Sequence, residues 1–251
     1  MLSSIRLAHR FGNQLYKVAF PVYRPLYGAF KAYSDRAERR TLARILRPGS
    51  AVVDAGANIG IYSRFLAQCV GPTGLVHGFE PSPENFARLQ STTSKLPNVR
   101  INSLAVGDKT GDIQLHVADD LNVDHRVYQT AGESRGTILI RATTLDDYFE
   151  PGGAVDFIKM DIQGYELHAL KGAKRVLTDN DRIQLLIEFW PYGLRQAGSS
   201  PEELLSFLRS LGFATYRLRD DSLSLCDNPE TACSDPLGYC NLFVKRHDSE
   251  W

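Results

Sequence analysis

Two acids and a run of small residues are spaced to hold a nucleoside. Asp54 follows the apolar run Ala51–Val53 and opens the pattern D-x-G-x-N-x-G, with Gly56, Asn58 and Gly60 at alternate positions. Glycines let a backbone approach a ligand closely, and unpaired N–H groups at the start of a following helix favour a polar or anionic group. Glu80 ends the next apolar run, Leu75–Phe79. An acid at such a strand end accepts the two hydroxyls of a ribose. Three further groups are candidates for moving a proton: Asp161 after VDFIKM, Glu188 near the end of RIQLLIEF, and His125 in the polar stretch Asp119–Gly136. A carboxylate or imidazole within reach of a hydroxyl takes its proton as the oxygen becomes a nucleophile. Glu188 has a second reading, as a strand-edge acid held by a backbone N–H or an arginine.

The glycine spacing chooses among nucleosides. A nicotinamide site uses G-x-G-x-x-G, whose second glycine makes room for a pyrophosphate, and that pattern is absent from Val52–Glu80. An acid before the glycines and an asparagine among them suit an amino-acid end instead. S-adenosylmethionine carries a ribose, an ammonium and a carboxylate and matches all three features. Asp54 is then expected to hold the ammonium, directly or through water, with Gly56, Asn58 and Gly60 cradling the methionine part and Glu80 on the ribose.

Four ordered motifs, VVDAGANIGIYS, FEPSPENFARLQ, LAVGD and IKMDIQGYELHALKGA, resemble the FkbM-type class I methyltransferases from about Ser50 onward. The resemblance implies an S-adenosylmethionine-dependent enzyme, usually methylating oxygen, on a small-molecule or sugar hydroxyl. It implies a three-layer, Rossmann-like α/β sandwich with a mostly parallel seven-stranded sheet and a C-terminal antiparallel hairpin. In that fold Ala105 and Val106 flank the adenine and Asp161 lies near the sulfonium methyl. The family pattern D-x-E-G-x-E departs here, because Gln163 stands where the first glutamate is usual. That weakens any reading of paired carboxylates as a metal site, and no metal is expected. Two alternatives stay open: an NAD-dependent oxidoreductase, and a non-catalytic donor-binding protein for which Gln163 is the support.

The elements that must position these groups follow from spacing. Strands and helices alternate from Ala51 onward, which predicts right-handed crossovers and a layered sheet. Ser82 and Ser200, each before a proline, read as helix caps. At 251 residues, 43% hydrophobic, the chain suits one large α/β domain, residues 50–251, behind a helical, basic extension, residues 1–49. Lys and Arg total 29, as do Asp and Glu, so the overall balance calls for no nucleic acid. No apolar run reaches the length of a bilayer crossing. Four cysteines without a C-x-x-C pair read as reduced thiols, and the expected location is cytoplasmic. Residues 1–34 hold five Lys and Arg and no acid, and Pro21 and Pro25 are expected to interrupt their helical spacing. Peripheral membrane contact, a cover over the donor site, a subunit contact in a homo-oligomer, or a helix packed outside the domain are the readings of that segment.

Overall fold

The chain alternates helix and strand as its apolar spacing predicts. The computed structural model describes residues 14–117, 125–129, 135–219, 222–229 and 238–247. Helices α1 (Phe20–Ser34) and α2 (Arg36–Ile45) precede β1 (Ala51–Ala55), α3 (Ile61–Val70), β2 (Leu75–Phe79), α4 (Pro83–Thr93) and β3 (Val99–Asn102). Next come β4 (Ala105–Val106), β5 (Gly111–Val117), β6 (Gly136–Thr143) and α5 (Leu145–Tyr148). The chain then builds β7 (Phe157–Met160), α6 (Glu166–Lys171), α7 (Lys174–Asp179), β8 (Gln184–Phe189), α8 (Pro191–Gln196), α9 (Pro201–Ser210), β9 (Phe213–Arg219), β10 (Ser222–Leu225) and β11 (Cys240–Arg246).

The main sheet has the order β10-β9-β11-β8-β7-β1-β2-β3, parallel from β8 to β3. Strand β11 inserts antiparallel between β8 and β9, the expected closing hairpin. Strand β10 adds an eighth strand at the edge, from a stretch whose sequence reads as a polar connection. Its side chains are largely exposed, so apolar patterning left little trace of it. Ala105 and Val106, expected beside the adenine, pair with β6 in a second sheet of order β4-β6-β5.

Period-two alternation assigns the strands' side chains to two faces. Val52, Val76, Phe157, Leu186 and Phe243 meet Leu42 of α2 and Leu66 of α3 on one side. Val53, Ile158, Leu185, Ile187 and Val244 meet Leu167, Leu170, Leu204 and Leu208 of α6 and α9 on the other. The result is the expected three layers.

The predicted caps form. Ser82 accepts from the Asn85 N–H, and Ser200 and Glu203 make a reciprocal capping box. Helix α1, by contrast, runs straight through its prolines. Pro21 lies in the first turn, where no N–H partner is needed. Pro25 forfeits only the bond to the carbonyl of Pro21, and both residues are exposed, so water replaces it. The N-terminal helices pack into the sheet domain: Tyr16, Phe20 and Tyr23 cluster with Ile59, and the Tyr16 hydroxyl donates to Asn85 at 2.7 Å.

The chain passes from β1 to β2 and β3 on one side, then crosses to β7 and β8 on the other. The crevice at the carboxyl ends of β1 and β7 is therefore the switch point where ligands bind in open α/β sheets. Behind it the turn after β7 is pressed against α8. Gly164 has φ +98°, and a Cβ there would lie 2.4 Å from the Gly193 backbone. Gly198 has a comparable φ of +77° with open space around it. In urea unfolding, Gly198→Ala is expected to lose about 1 kcal/mol through backbone conformation alone. Gly164→Ala is expected to lose more than about 3 kcal/mol, because the neighbouring backbone cannot yield. Equal losses would show that the close approach does not matter.

Candidate active site

A cavity of about 440 Å³ opens at the switch point, a volume suited to a nucleoside-sized ligand. One part of its rim is backbone that only glycine permits. Gly56 has φ +77°, and a Cβ there would fall 1.9 Å from the Asp161 carbonyl oxygen. The turn after β1 is thus seated against the turn after β7. The N–H groups of Gly56 and Ala57 donate to the Phe79 carbonyl at 3.1 and 2.9 Å, which brings the turn beside Glu80.

Glu80 ties the two donor-side loops together. Its Oε2 accepts from the Asn58 N–H at 2.8 Å and its Oε1 from the Ser82 N–H at 2.9 Å. Burial pushes this carboxyl up to about 7 against the pull of those two donors.

The expected donor residues divide into two groups. Gly56, Asn58, Glu80, Ala105 and Val106 line the cavity. Asp54 and Gly60 do not. Gly60, at φ +86°, starts α3, and a Cβ there would meet Leu89 of α4 at 2.8 Å, so its bareness serves helix packing. Asp54, expected to hold the ammonium directly or through water, is fully buried and absent from the lining, which corrects the direct form of that expectation. Its Oδ2 accepts from Ser63 Oγ at 2.6 Å, and its Oδ1 lies 3.3 Å from Lys159 Nζ.

Lys159 is the residue that sequence reasoning missed. It sits in β7 directly opposite Asp54 of β1, 6% exposed, and it reaches the cavity floor. Its ammonium also stands 3.8 Å from Asp161 and 5.1 Å from the centre of the Tyr62 ring. Burial pulls its pKa down, yet the carboxylates of Asp54 and Asp161 outweigh burial and hold it above the usual lysine value. The available signal was a single lysine inside a four-residue buried strand, costly without a partner.

The candidate proton-movers converge. Asp161 and Glu188 share a wall of the cavity, and the Gln163 amide donates to both, to Asp161 Oδ1 at 3.0 Å and Glu188 Oε2 at 3.3 Å. Burial, then Asp161 and Glu166, drive the Glu188 carboxyl well above the ordinary range. Glu166 lies under this turn, its Oε1 accepting from the N–H groups of Ile162 and Gly164 at 3.0 and 3.2 Å. His125 also lines the cavity, and the neighbouring Arg126 stacks over Trp190 at 5.0 Å instead of standing free. Most of the Asp119–Gly136 stretch lies outside the described residues. A second, polar cavity of about 400 Å³ shares Lys159, Asp161 and Glu188 with the first and extends to Asp35, Glu38 and Arg217.

The lining suits a ligand such as S-adenosylmethionine: Glu80 offers a carboxyl group of the kind that accepts ribose hydroxyls, and buried Ala105 and Val106 offer apolar walls. A strand order with β11 antiparallel beside β8 and a nucleoside-sized crevice at β1/β7 together define a class I methyltransferase architecture. Residues 54–215 match the FkbM methyltransferase domain, and the chain belongs to that family, whose members take a methyl group from S-adenosylmethionine. The match sets aside the nicotinamide reading. The chain is 42% identical over 209 residues to the 31-O-demethyl-FK506 methyltransferase FkbM of Streptomyces tacrolimicus, covering 70% of this chain and 76% of that one. It is 26% identical over 162 residues to the 2-O-methyltransferase NoeI of Sinorhizobium fredii, covering 58% of this chain and 66% of NoeI. The chain thus spans just under two thirds of NoeI's length. The fold is similar to the crystal structure of a proposed rRNA methylase from Clostridium thermocellum, with TM-score 0.51 and 13% identity over 85% of this chain and 95% of that one.

Two outcomes test this site. Lys159→Met leaves Asp54 buried without its cation and is expected to lose about 3–5 kcal/mol in urea unfolding. Adding Asp54→Asn to Lys159→Met is expected to recover most of that loss, and a double variant no better than the single would refute the pairing. Glu80, raised on folding, contributes stability below its unfolded pKa and loses it as pH rises through about 7. Its ionised form is the better acceptor for ribose hydroxyls, so binding should follow the opposite sign. Affinity for S-adenosylhomocysteine measured by calorimetry is expected to strengthen about tenfold from pH 6 to pH 8. Glu80→Gln should flatten that dependence.

Proposed function

We propose that this chain is an S-adenosylmethionine-dependent O-methyltransferase acting on a small-molecule or sugar hydroxyl. The observation that carries the proposal is the junction of the two cavities at Lys159, Asp161 and Glu188, which sets a proton acceptor between a nucleoside chamber and a polar chamber. The donor, when bound, supplies an electrophilic methyl on its sulfonium. Gly56 and Asn58 shape the floor for its amino-acid end, Glu80 accepts from the ribose, and Ala105 and Val106 wall the adenine. Asp54 acts one layer lower, by orienting Lys159.

The acceptor chamber is polar, which suits a compound with several hydroxyls. Glu38 accepts from the Asn241 amide at 2.8 Å, and Asp35 accepts from the Tyr62 hydroxyl at 3.0 Å. Asp161 takes the acceptor's proton as the oxygen attacks. Glu188, favoured in its protonated form, and the Gln163 amide keep Asp161 oriented by hydrogen bonds. His125 is the competing base. Water exclusion falls to α1, whose Tyr27 and Lys31 line the cavity.

The test is methyl transfer from radiolabelled S-adenosylmethionine to a panel of pyranosides and other polyols, with donor binding followed separately by calorimetry. Asp161→Asn is expected to lower kcat by about 10²–10⁴ while S-adenosylhomocysteine still binds. His125→Ala should keep most turnover. The reverse ranking would pass the role to His125. Donor binding without transfer to any acceptor would favour a non-catalytic donor-binding protein instead, and absence of donor heat would end the reading altogether.

A further inference from the structure

Helix α1 has two apolar faces, and among the described residues only one of them is packed. Tyr16, just before the helix, and Phe20, Tyr23 and Tyr27 form the inward face, with Tyr23 and Tyr27 stacked at 5.3 Å. Val22, Leu26, Phe30 and Tyr33, spaced by four, four and three residues, are 52%, 59%, 62% and 71% exposed, and Val18, just before the helix, is 76% exposed. At 3.6 residues per turn that spacing is one continuous stripe. Exposed Pro21, Pro25, Ala29 and Ala32 fall on the same side, so roughly half the helix circumference presents no charge. Monomeric proteins rarely expose a contiguous apolar strip of this kind without a partner.

The charge around the strip selects the partner. Lys17, just before the helix, and Arg24 within it lie to one side of the strip. Arg36, Arg40, Arg44 and Arg47, all exposed, continue as a basic ridge along and just past α2. Residues 1–47 hold ten Lys and Arg against two acids, in a chain where the two kinds balance at 29 each. Both acids are engaged within the protein. Asp35 pairs with Lys31 at 2.7 Å and accepts from Tyr62, and Glu38 accepts from Asn241. A helix with an apolar face and basic flanks lies in the plane of an anionic bilayer, burying its apolar side chains at the acyl boundary. No helix among the described residues is long and apolar enough to cross a membrane, so the contact is with the surface.

We propose that the outward face of α1, with the basic ridge of α2, seats this chain on an anionic phospholipid surface. Docking there holds Tyr27 and Lys31, which line the cavity from the inward side of the same helix, within about one helix diameter of the lipid. The proposal concerns attachment and stands whether or not the catalytic reading does.

The test is co-sedimentation of the full chain with vesicles of phosphatidylglycerol and phosphatidylcholine, against phosphatidylcholine alone, at low and high salt. The wild type is expected to sediment with the anionic vesicles at low salt and weakly with the neutral ones. Leu26→Glu with Phe30→Glu should weaken binding at least about tenfold, and Arg40→Glu with Arg44→Glu by a similar factor. Thermal melting and S-adenosylhomocysteine binding, unchanged in both variants, would show that the fold is intact. Failure of the wild type to sediment, or unchanged binding by Leu26→Glu with Phe30→Glu, overturns the proposal. A wild-type dimer in analytical ultracentrifugation that the Leu26→Glu, Phe30→Glu variant dissociates also overturns it, since a second copy would then cover the strip.

Discussion

The site depends on a lysine ammonium held inside a parallel sheet. Lys159 lies between β1 and β8, where an unpaired charge would be prohibitive. Its relief comes from Asp54, opposite it on β1, and from Asp161, two residues on along the same face. Because side chains alternate with a period of two, this pairing fixes the β1/β7 register. A one-residue slip would carry Lys159 into the apolar face packed by Leu167 and Leu170. The same register sets Gly56 against the Asp161 carbonyl, so the shape of the cavity follows from where the charge is neutralised. Buried ion pairs add little net stability compared with apolar residues, but removing one partner is costly. Here the pair acts as a register device with the cavity built above it.

Local signals were legible where one segment carried its own instruction. The turn after β1, the caps at Ser82 and Ser200, and the alternating core strands each reflect short-range chemistry. Asp54 was legible as an acid at a strand end, whereas its partner was not, since the pairing spans more than a hundred residues. Gly60 shows the limit of reading glycines from spacing. The pattern marks a left-handed position, but not whether the bare Cα faces a ligand or, as here, Leu89. Ala105 and Val106 were placed beside the adenine by resemblance, yet their pairing with β6 was hidden because their partners, Ala142 and Thr143, lie far along the chain. The prolines of α1 misled because a breaker in the first turns sacrifices bonds that solvent replaces.

Helix α1 joins parts of the molecule that its sequence left as separate options. Its aromatic face packs on the donor-side loop through Ile59, and Tyr16 reaches Asn85 next to the cap of α4. Farther along, Tyr27 and Lys31 enter the cavity wall, and the ion pair of Lys31 with Asp35 turns the chain into α2. A cover over the site and a helix packed outside the sheet are therefore one structure. The outward stripe is a separate demand on the same fifteen residues. A helix that needed only to pack inward would carry polar groups where Leu26 and Phe30 stand.

Gln163 bears most directly on chemistry. Its backbone takes a left-handed conformation, φ +58°, and its carbonyl accepts from the Tyr128 hydroxyl. Gly164 and the two N–H bonds to Glu166 hold the rest of the turn. None of these constraints involves the charge of the Gln163 side chain, so glutamine takes the place of the family's usual glutamate without disturbing the turn. What changes is the proton balance. A glutamate would add a third carboxyl beside Asp161 and Glu188, suited to a cation or to shared protons. The amide donates to both carboxyls and contributes no charge. Burial and the neighbouring carboxyls favour the protonated form of Glu188, so the amide at Gln163 bridges two acids without adding a third to that balance.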